Sequence, residues 1–287
     1  MKGKVVGVVG LGLIGGSLAR AYKRAGATVY GVDVDMITFD FARMVGAVDY
    51  EMNEKNMSVC DFIFLAVNPA QAIRWLNENA HRLDNSTIVI DCCGIKRPVC
   101  ETGFALMERS PFIFVGGHPM AGKQVGGFKN SRTDMFKGAC FTIVPKDKND
   151  IRLLTRVKQF LKVAGFDKFS VLTPEEHDEV IAFTSQLTHL ISNAFVKSEM
   201  ATIEDSSISG GSFHDLTRVA YLDETLWTEL FMENRDNLLD ELKCFMGELN
   251  EYIDALERDD SEKMKRLLIE GKERKEEVEK NAAKKTR

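Results

Sequence analysis

The stretch "KVVGVVGLGLIGGSLARAYKRAG" (4–26) constrains the fold most. An apolar run leads into glycines at 10, 12 and 15, spaced G-x-G-x-x-G. A segment with Leu13, Leu18 and Tyr22 near helical spacing follows and stops at Gly26. In a strand–turn–helix unit the first glycine makes the tight turn and the second lets the backbone approach a pyrophosphate. The third lets the helix pack close to the sheet, and the helix N-terminus offers N–H groups to the phosphates. The next apolar run, "TVYGVD" (28–33), ends in Asp33, close to the twenty-residue offset at which an acid meets the adenosine ribose. A carboxylate there accepts both ribose hydroxyls and repels a 2′-phosphate, which favours NAD over NADP. The turn residues Leu13 and Ile14, and Val67 at the end of the run "DFIFLAV", are assigned to the same cofactor site with Gly10, Gly12, Gly15 and Asp33. A flavodoxin-like turn holding no dinucleotide is the alternative reading of these glycines.

Further nearly continuous apolar runs are "DFIFLAV" (61–67), "STIVIDC" (86–92), "FIFVGG" (112–117) and "CFTIVP" (140–145). Such runs suit strands covered on both faces, and their alternation with helical segments predicts a mostly parallel, doubly wound sheet. The texture changes after residue 171. "TPEEHDEVIAFTSQLTHLISNAFVKSEM" (173–200) carries a helix start, with Thr173 as N-cap, Pro174 at the first position and Glu176 three residues after the cap. Val180, Phe183, Leu187, Leu190, Ile191 and Ala194 then recur at helical spacing, and 222–257 and 260–285 are helical in composition. The expected architecture is an α/β Rossmann-type domain over 1–171, followed by an all-α domain over 172–287.

The 287 residues are 44% hydrophobic, with a formal net charge of −5. That leaves no basic excess for nucleic acid. No stretch approaches the ~18 apolar residues of a membrane span. The six cysteines form no CxxC pair and read as free thiols of a reducing compartment, so a cytoplasmic location is expected. No cluster has metal-ligand spacing. Ser17, Ser185 and Ser192 have no base at a nucleophile's spacing.

Two further stretches carry chemistry. In "VGGHPMAGKQVGGF" (115–128), His118 follows a strand and two glycines, where strand carboxyl ends face a ligand crevice. It can exchange a proton near neutral pH or serve as a loop histidine bonded to backbone. In "SGGSFHDLTRVAYLDETLW" (209–227), Arg218 can grip a carboxylate through two parallel hydrogen bonds or form a surface ion pair.

Together "GLGLIGGS", "GGHPMAG", "TPEEHD", "TSQLTHLIS" and "GGSFHDLTRVA…W" resemble the prephenate/arogenate dehydrogenase family of tyrosine biosynthesis, over residues 3–255. The resemblance implies a Rossmann-type domain and a helical dimerisation domain, hence a homodimer. It also implies oxidative decarboxylation of prephenate to 4-hydroxyphenylpyruvate with NAD+. On this resemblance His118 is the proton acceptor and Arg218 the substrate-carboxylate clamp. His189 is a polar substrate contact, Gly211 and Asp215 frame the arginine, and Trp227 shapes the site or the subunit contact.

The chain departs from the family pattern at three places. "DCCGIK" (91–96) has Gly94 in the substrate site where many members carry a serine. Gln124 stands where many have an acid, and His214 where arginine or lysine is frequent. His177 reads as structural and His81 as a solvent-exposed loop residue. The alternatives are arogenate dehydrogenase, with the same chemistry, and a non-catalytic NAD-binding sensor. A third is a 3-hydroxyacid-type dehydrogenase relying on a helical-domain lysine, for which Lys197 is the available residue.

Overall fold

The computed structural model describes residues 1–122, 125–203 and 211–285. Gln124 lies outside the described residues. The chain divides into two compact units, Met1–Arg235 and Asp236–Arg287.

The first unit is built on one eight-stranded sheet in the order β3-β2-β1-β4-β5-β6-β7-β8. The strands are β1 (Val5–Val9), β2 (Thr28–Val32), β3 (Tyr50–Glu51), β4 (Phe62–Leu65), β5 (Ile88–Asp91), β6 (Ile113–Met120), β7 (Cys140–Val144) and β8 (Lys168–Val171). All neighbours run parallel except β6 and β7, where His118 faces Thr142 across an antiparallel ladder. The six expected strands are present. β3 was not anticipated because two residues make no periodic signal. β8, "KFSV", alternates charge, aromatic and hydroxyl residues and so lacks the continuous apolar run of a doubly covered strand.

Strand order reverses on either side of β1, which opens a crevice between the carboxyl ends of β1 and β4. The helix α1 (Leu13–Arg24) closes one face of the sheet there. Its Leu18 and Tyr22 are buried as their spacing predicts; the Tyr22 ring stacks on Phe160 at 4.5 Å and its hydroxyl donates to the Phe160 carbonyl at 3.1 Å. Burying each such side chain contributes about 1.5–3 kcal/mol. The tyrosine hydroxyl would cost part of that if it lacked a partner.

After β8 the first unit is helical. Thr173 and Glu176 form a reciprocal capping box at the start of α6 (Pro174–Ile181). The expected continuous helix is interrupted by a π-turn at Ala182–Leu187 before α7 (Thr188–Phe195). The wider turn shifts which residues share a face. Leu187 is buried as expected and Gln186 joins it, whereas Val180 and Phe183, expected on the same apolar face, are exposed. Three more helices are α8 (Glu199–Ile203), α9 (Gly211–Thr217) and α10 (Glu224–Glu233).

The second unit holds α11 (Arg235–Glu257) from its second residue onward and α12 (Ser261–Lys285). The Lys263 ammonium bridges Asp254 at 2.6 Å and Glu251 at 2.8 Å, tying the two helices. No helix among the described residues is long and apolar enough to cross a membrane.

Candidate active site

The glycine turn joins β1 to α1. Gly10 has φ +83°, and a Cβ there would come within 2.6 Å of the Ala66 carbonyl oxygen. A Cβ on Gly15 would lie 1.8 Å from the Gly10 carbonyl oxygen, so only glycine lets the helix start this close to the strand. Gly12 faces open space at the helix N-cap, and no side chain caps it. The first N–H groups of α1 are left to a ligand. Asp33 stands beside the turn, its two oxygens accepting from the Leu11 N–H at 2.6 Å and the Asp35 N–H at 2.9 Å. Gly10, Gly12, Asp33 and Val67 line one cavity of about 500 Å³. The residues present therefore fit a dinucleotide: an uncapped helix start, a cradle any Cβ would fill, and a fixed carboxylate.

A second cavity, of about 650 Å³, continues from Gly12, Leu13, Ile14 and Val67 to Gly94, His118, His189 and Trp227. Residues far apart in sequence converge because β4, β5 and β6 all end at this crevice and α7 and α10 lie across it. His189 is held in two ways. Its Nδ1 donates to the Ser185 carbonyl at 2.8 Å, and its ring packs tilted against Trp227 with centroids 4.2 Å apart. Ser185 and Gln186, at the π-turn, also line the cavity. Gln186 donates to the Leu230 carbonyl and accepts from Asn234, which fixes the turn.

His118 sits on β6 beside a buried ion pair. Lys96 and Asp91 are fully buried and bonded to each other. Lys96 also donates to the Gly117 carbonyl at 2.6 Å, and Asp91 accepts from the Gly117 N–H at 3.0 Å. Both peptide groups of the residue before His118 are thus pinned to the end of β5. Burial pushes the Lys96 ammonium down, but Asp91 and the neighbouring thiols outweigh it and hold it above the ordinary range. The His118 Nδ1 lies 2.9 Å from Nε2 of His177, whose Nδ1 lies 2.7 Å from Asp178. Burial, then His177 and Lys96, push the His118 imidazole well below its ordinary pKa, so it is neutral at neutral pH.

Not every expected residue joins this cavity. Arg218 lines an adjoining space of about 1170 Å³ that shares Asn68, His189 and Trp227 with it. Gly211 and Asp215, expected to frame the substrate arginine, line neither space: both are exposed on α9. That helix docks through its Leu216 carbonyl, which accepts from Ser192 at 2.7 Å, and leaves Asp215 to solvent. His214 and Lys197 are exposed, as is His81 in a 3₁₀ turn. Among the described residues no group of three or more potential ligands could hold a metal ion.

His177 adds a contact that its sequence setting does not reveal. Read from the sequence as structural, it is buried, and its Nε2 also meets the His118 Nδ1. The available signal was the His-Asp dipeptide directly after the capping box, which places an imidazole beside a carboxylate in the first turn of a helix. Asp91 and Lys96 could have been suspected from an acid and a lysine five residues apart at the end of a buried strand. Ser185 and Gln186 had no signal, since a π-turn has no sequence periodicity of its own.

The family model for "Prephenate dehydrogenase, nucleotide-binding domain" matches residues 18–169, and that for "Prephenate dehydrogenase, dimerization domain" matches residues 173–270. The prephenate dehydrogenase of Bacillus subtilis (strain 168) is 27% identical over 275 residues, spanning 93% of this chain and 74% of that protein. The crystal structure of Synechocystis arogenate dehydrogenase has a TM-score of 0.80 at 26% identity, covering 96% of this chain and 99% of its own. Prephenate dehydrogenase from A. aeolicus, in complex with hydroxyphenyl propionate and NAD+, also has a TM-score of 0.80, at 27% identity, with 97% and 99% covered.

Proposed function

The chain belongs to the prephenate dehydrogenase family, and from that premise we propose that it converts prephenate to 4-hydroxyphenylpyruvate with NAD+. The observation that carries this is the continuity of the glycine turn with His118 in one cavity. NAD+ held by Gly10, Gly12, Gly15 and Asp33 would supply the hydride acceptor.

His118 takes the proton of the substrate's C4 hydroxyl as the C4–H bond breaks with its electron pair leaving as hydride. The C1–carboxylate bond breaks, its pair enters the ring and carbon dioxide departs; the ring becomes aromatic as the C4 oxygen, now a phenolate, takes the proton back from His118. Aromatisation makes the chemistry downhill, so orientation and one proton are what the protein must manage. His189, oriented by Ser185 and Trp227, offers its remaining ring nitrogen as a polar contact. Arg218, at the rim, grips a substrate carboxylate.

The likeness to Synechocystis arogenate dehydrogenase supports a second substrate, arogenate, with the same bond changes. The dimerization-domain match and the exposed Ile253, Leu256, Leu268 and Ile269 on α11 and α12 support a homodimer. The free cysteines support a reducing, cytoplasmic setting. NADH formation is measured with prephenate, with arogenate, and with NADP+ in place of NAD+. Turnover of prephenate with NAD+ is expected, and failure with both substrates overturns the proposal.

A further inference from the structure

His118 needs a bare ring nitrogen to accept a proton, and a neutral imidazole has one N–H and one lone pair. Which nitrogen is bare is decided by what the other one touches. Three side chains in a row make that decision here.

The row starts at Asp178, which is fully buried on α6. Its Oδ1 accepts from the Lys96 backbone N–H at 2.7 Å and its Oδ2 from the Arg97 backbone N–H at 2.9 Å. Burial pushes this carboxyl up, but the bond to His177 and those backbone donors outweigh it and hold it below the ordinary range. It is therefore an acceptor only, in a fixed orientation. His177 turns its Nδ1 to that carboxylate at 2.7 Å and its Nε2 to His118 at 2.9 Å.

We propose that Asp178 and His177 are positioning residues that hold His118 in the tautomer with Nδ1 protonated and Nε2 bare, presented to the cavity. The proton on His177 must sit on Nδ1, because a bare Nδ1 would set a lone pair against a carboxylate. Neutral His177 then has a bare Nε2, which can only accept. The hydrogen between the two imidazoles therefore belongs to His118 Nδ1. The opposite order needs a doubly protonated His177, a second cation in a buried place that already holds Lys96. His118 itself lies on β6, with the peptide before it pinned by Asp91 and Lys96, so the backbone that carries the ring is fixed.

The same row serves after proton transfer. The imidazolium keeps its Nδ1–H bond to His177, and the Asp178 carboxylate faces the new charge through it. The consequence for turnover rests on reading His118 as the base; the tautomer does not.

Long-range ¹⁵N–¹H spectra of the full-length protein without cofactor read the His118 tautomer directly. The expected result is a bare Nε2 and a protonated Nδ1. A bare Nδ1 overturns the proposal. His177→Phe keeps a ring of similar size and removes the acceptor. It should give mixed tautomers at His118 and lower kcat by about tenfold or more at unchanged KM for NAD+. His177→Gln supplies a carbonyl toward His118 and an amide N–H toward Asp178, and should restore the single tautomer and most of kcat. A bare-Nε2 tautomer and full kcat in His177→Phe, or a Gln variant no better than Phe, would count against the relay. If the wild-type protein turns over neither prephenate nor arogenate, the proposed function fails while the spectra still decide the tautomer.

Discussion

A Cβ added to Gly94 would lie 3.3 Å from Cδ2 of Leu230, so the side chain of α10 leans onto the backbone of the β5–α4 loop, just before α4 (Arg97–Met107). That distance is tight but short of a clash, and the neighbour is the end of a side chain. Gly94→Ser should therefore fold and keep kcat/KM within about tenfold, since one hydrogen bond is worth ~0.5–1.5 kcal/mol. Gly94→Val, branched at Cβ, should raise KM for prephenate and leave NAD+ affinity unchanged. Steady-state kinetics and NAD+ titration check both. A Val variant with wild-type KM would show that Leu230 yields freely.

His118→Asn should lower kcat by ~10²–10⁴-fold, the range for loss of a positioned general base. NAD+ binding, read by titration calorimetry, should be retained because the glycine turn and Asp33 are untouched. Near-normal kcat would remove His118 from its proposed role.

Arg218 is exposed at the rim of the adjoining cavity, so its loss should be felt in substrate binding and not in folding. A charge-assisted hydrogen bond to a carboxylate is worth ~1.5–3 kcal/mol. Arg218→Ala should raise KM for prephenate by about ten- to a hundredfold with an unchanged melting temperature. An unchanged KM would place the substrate carboxylate elsewhere.

Lys96→Met should cost about 3–5 kcal/mol of stability, because it strands the fully buried Asp91 carboxylate without its counter-charge. Replacing both partners together, as in Asp91→Leu with Lys96→Met, should cost less than Lys96→Met alone. Denaturant unfolding of the single and double variants measures the difference.

The pH dependence follows from the two histidines. His118 is pushed down by burial, His177 and Lys96; His177 is pushed down by burial and Lys96, with Asp178 and Asp91 opposing. In the unfolded chain both titrate near ~6.5. Below that pH the unfolded state takes up protons that the folded state refuses, so stability is full above ~6.5 and falls as pH drops through it. The lowered Asp178 carboxyl contributes stability lost only below roughly 3.9, outside this window. The melting temperature should decline between pH 7.5 and 5.5, less steeply in His118→Gln. The acid limb of kcat/KM should lie below ~6.5; a limb above it contradicts a neutral, buried base.

The elements that read clearly from sequence were those whose signals are local. Glycines at 10, 12 and 15, the acid at 33 and the buried runs each announce themselves within a few residues, because turn geometry, strand burial and helix capping are short-range. Thr173 and Glu176 form the expected capping box for the same reason. His118 and Arg218 carry side chains suited to proton transfer and carboxylate binding, but each setting alone also fits an ordinary loop or surface role.

By itself, then, the sequence determined a doubly wound nucleotide-binding sheet, a helical half and a candidate base. Only the tertiary structure decided that His177, backed by Asp178, stands against one ring nitrogen of that histidine. His177 meets His118 across 59 positions, and Asp178 meets the backbone of Lys96 across 82. Such contacts leave no local periodicity, because they arise from where α6 packs against the ends of β5 and β6. The structure also left Asp215 on an exposed helix face and set Leu230 against Gly94. The physical reason is the same throughout. Local conformation is written in neighbouring residues, whereas tautomer, proton affinity and the space beside a glycine depend on what distant segments bring to them.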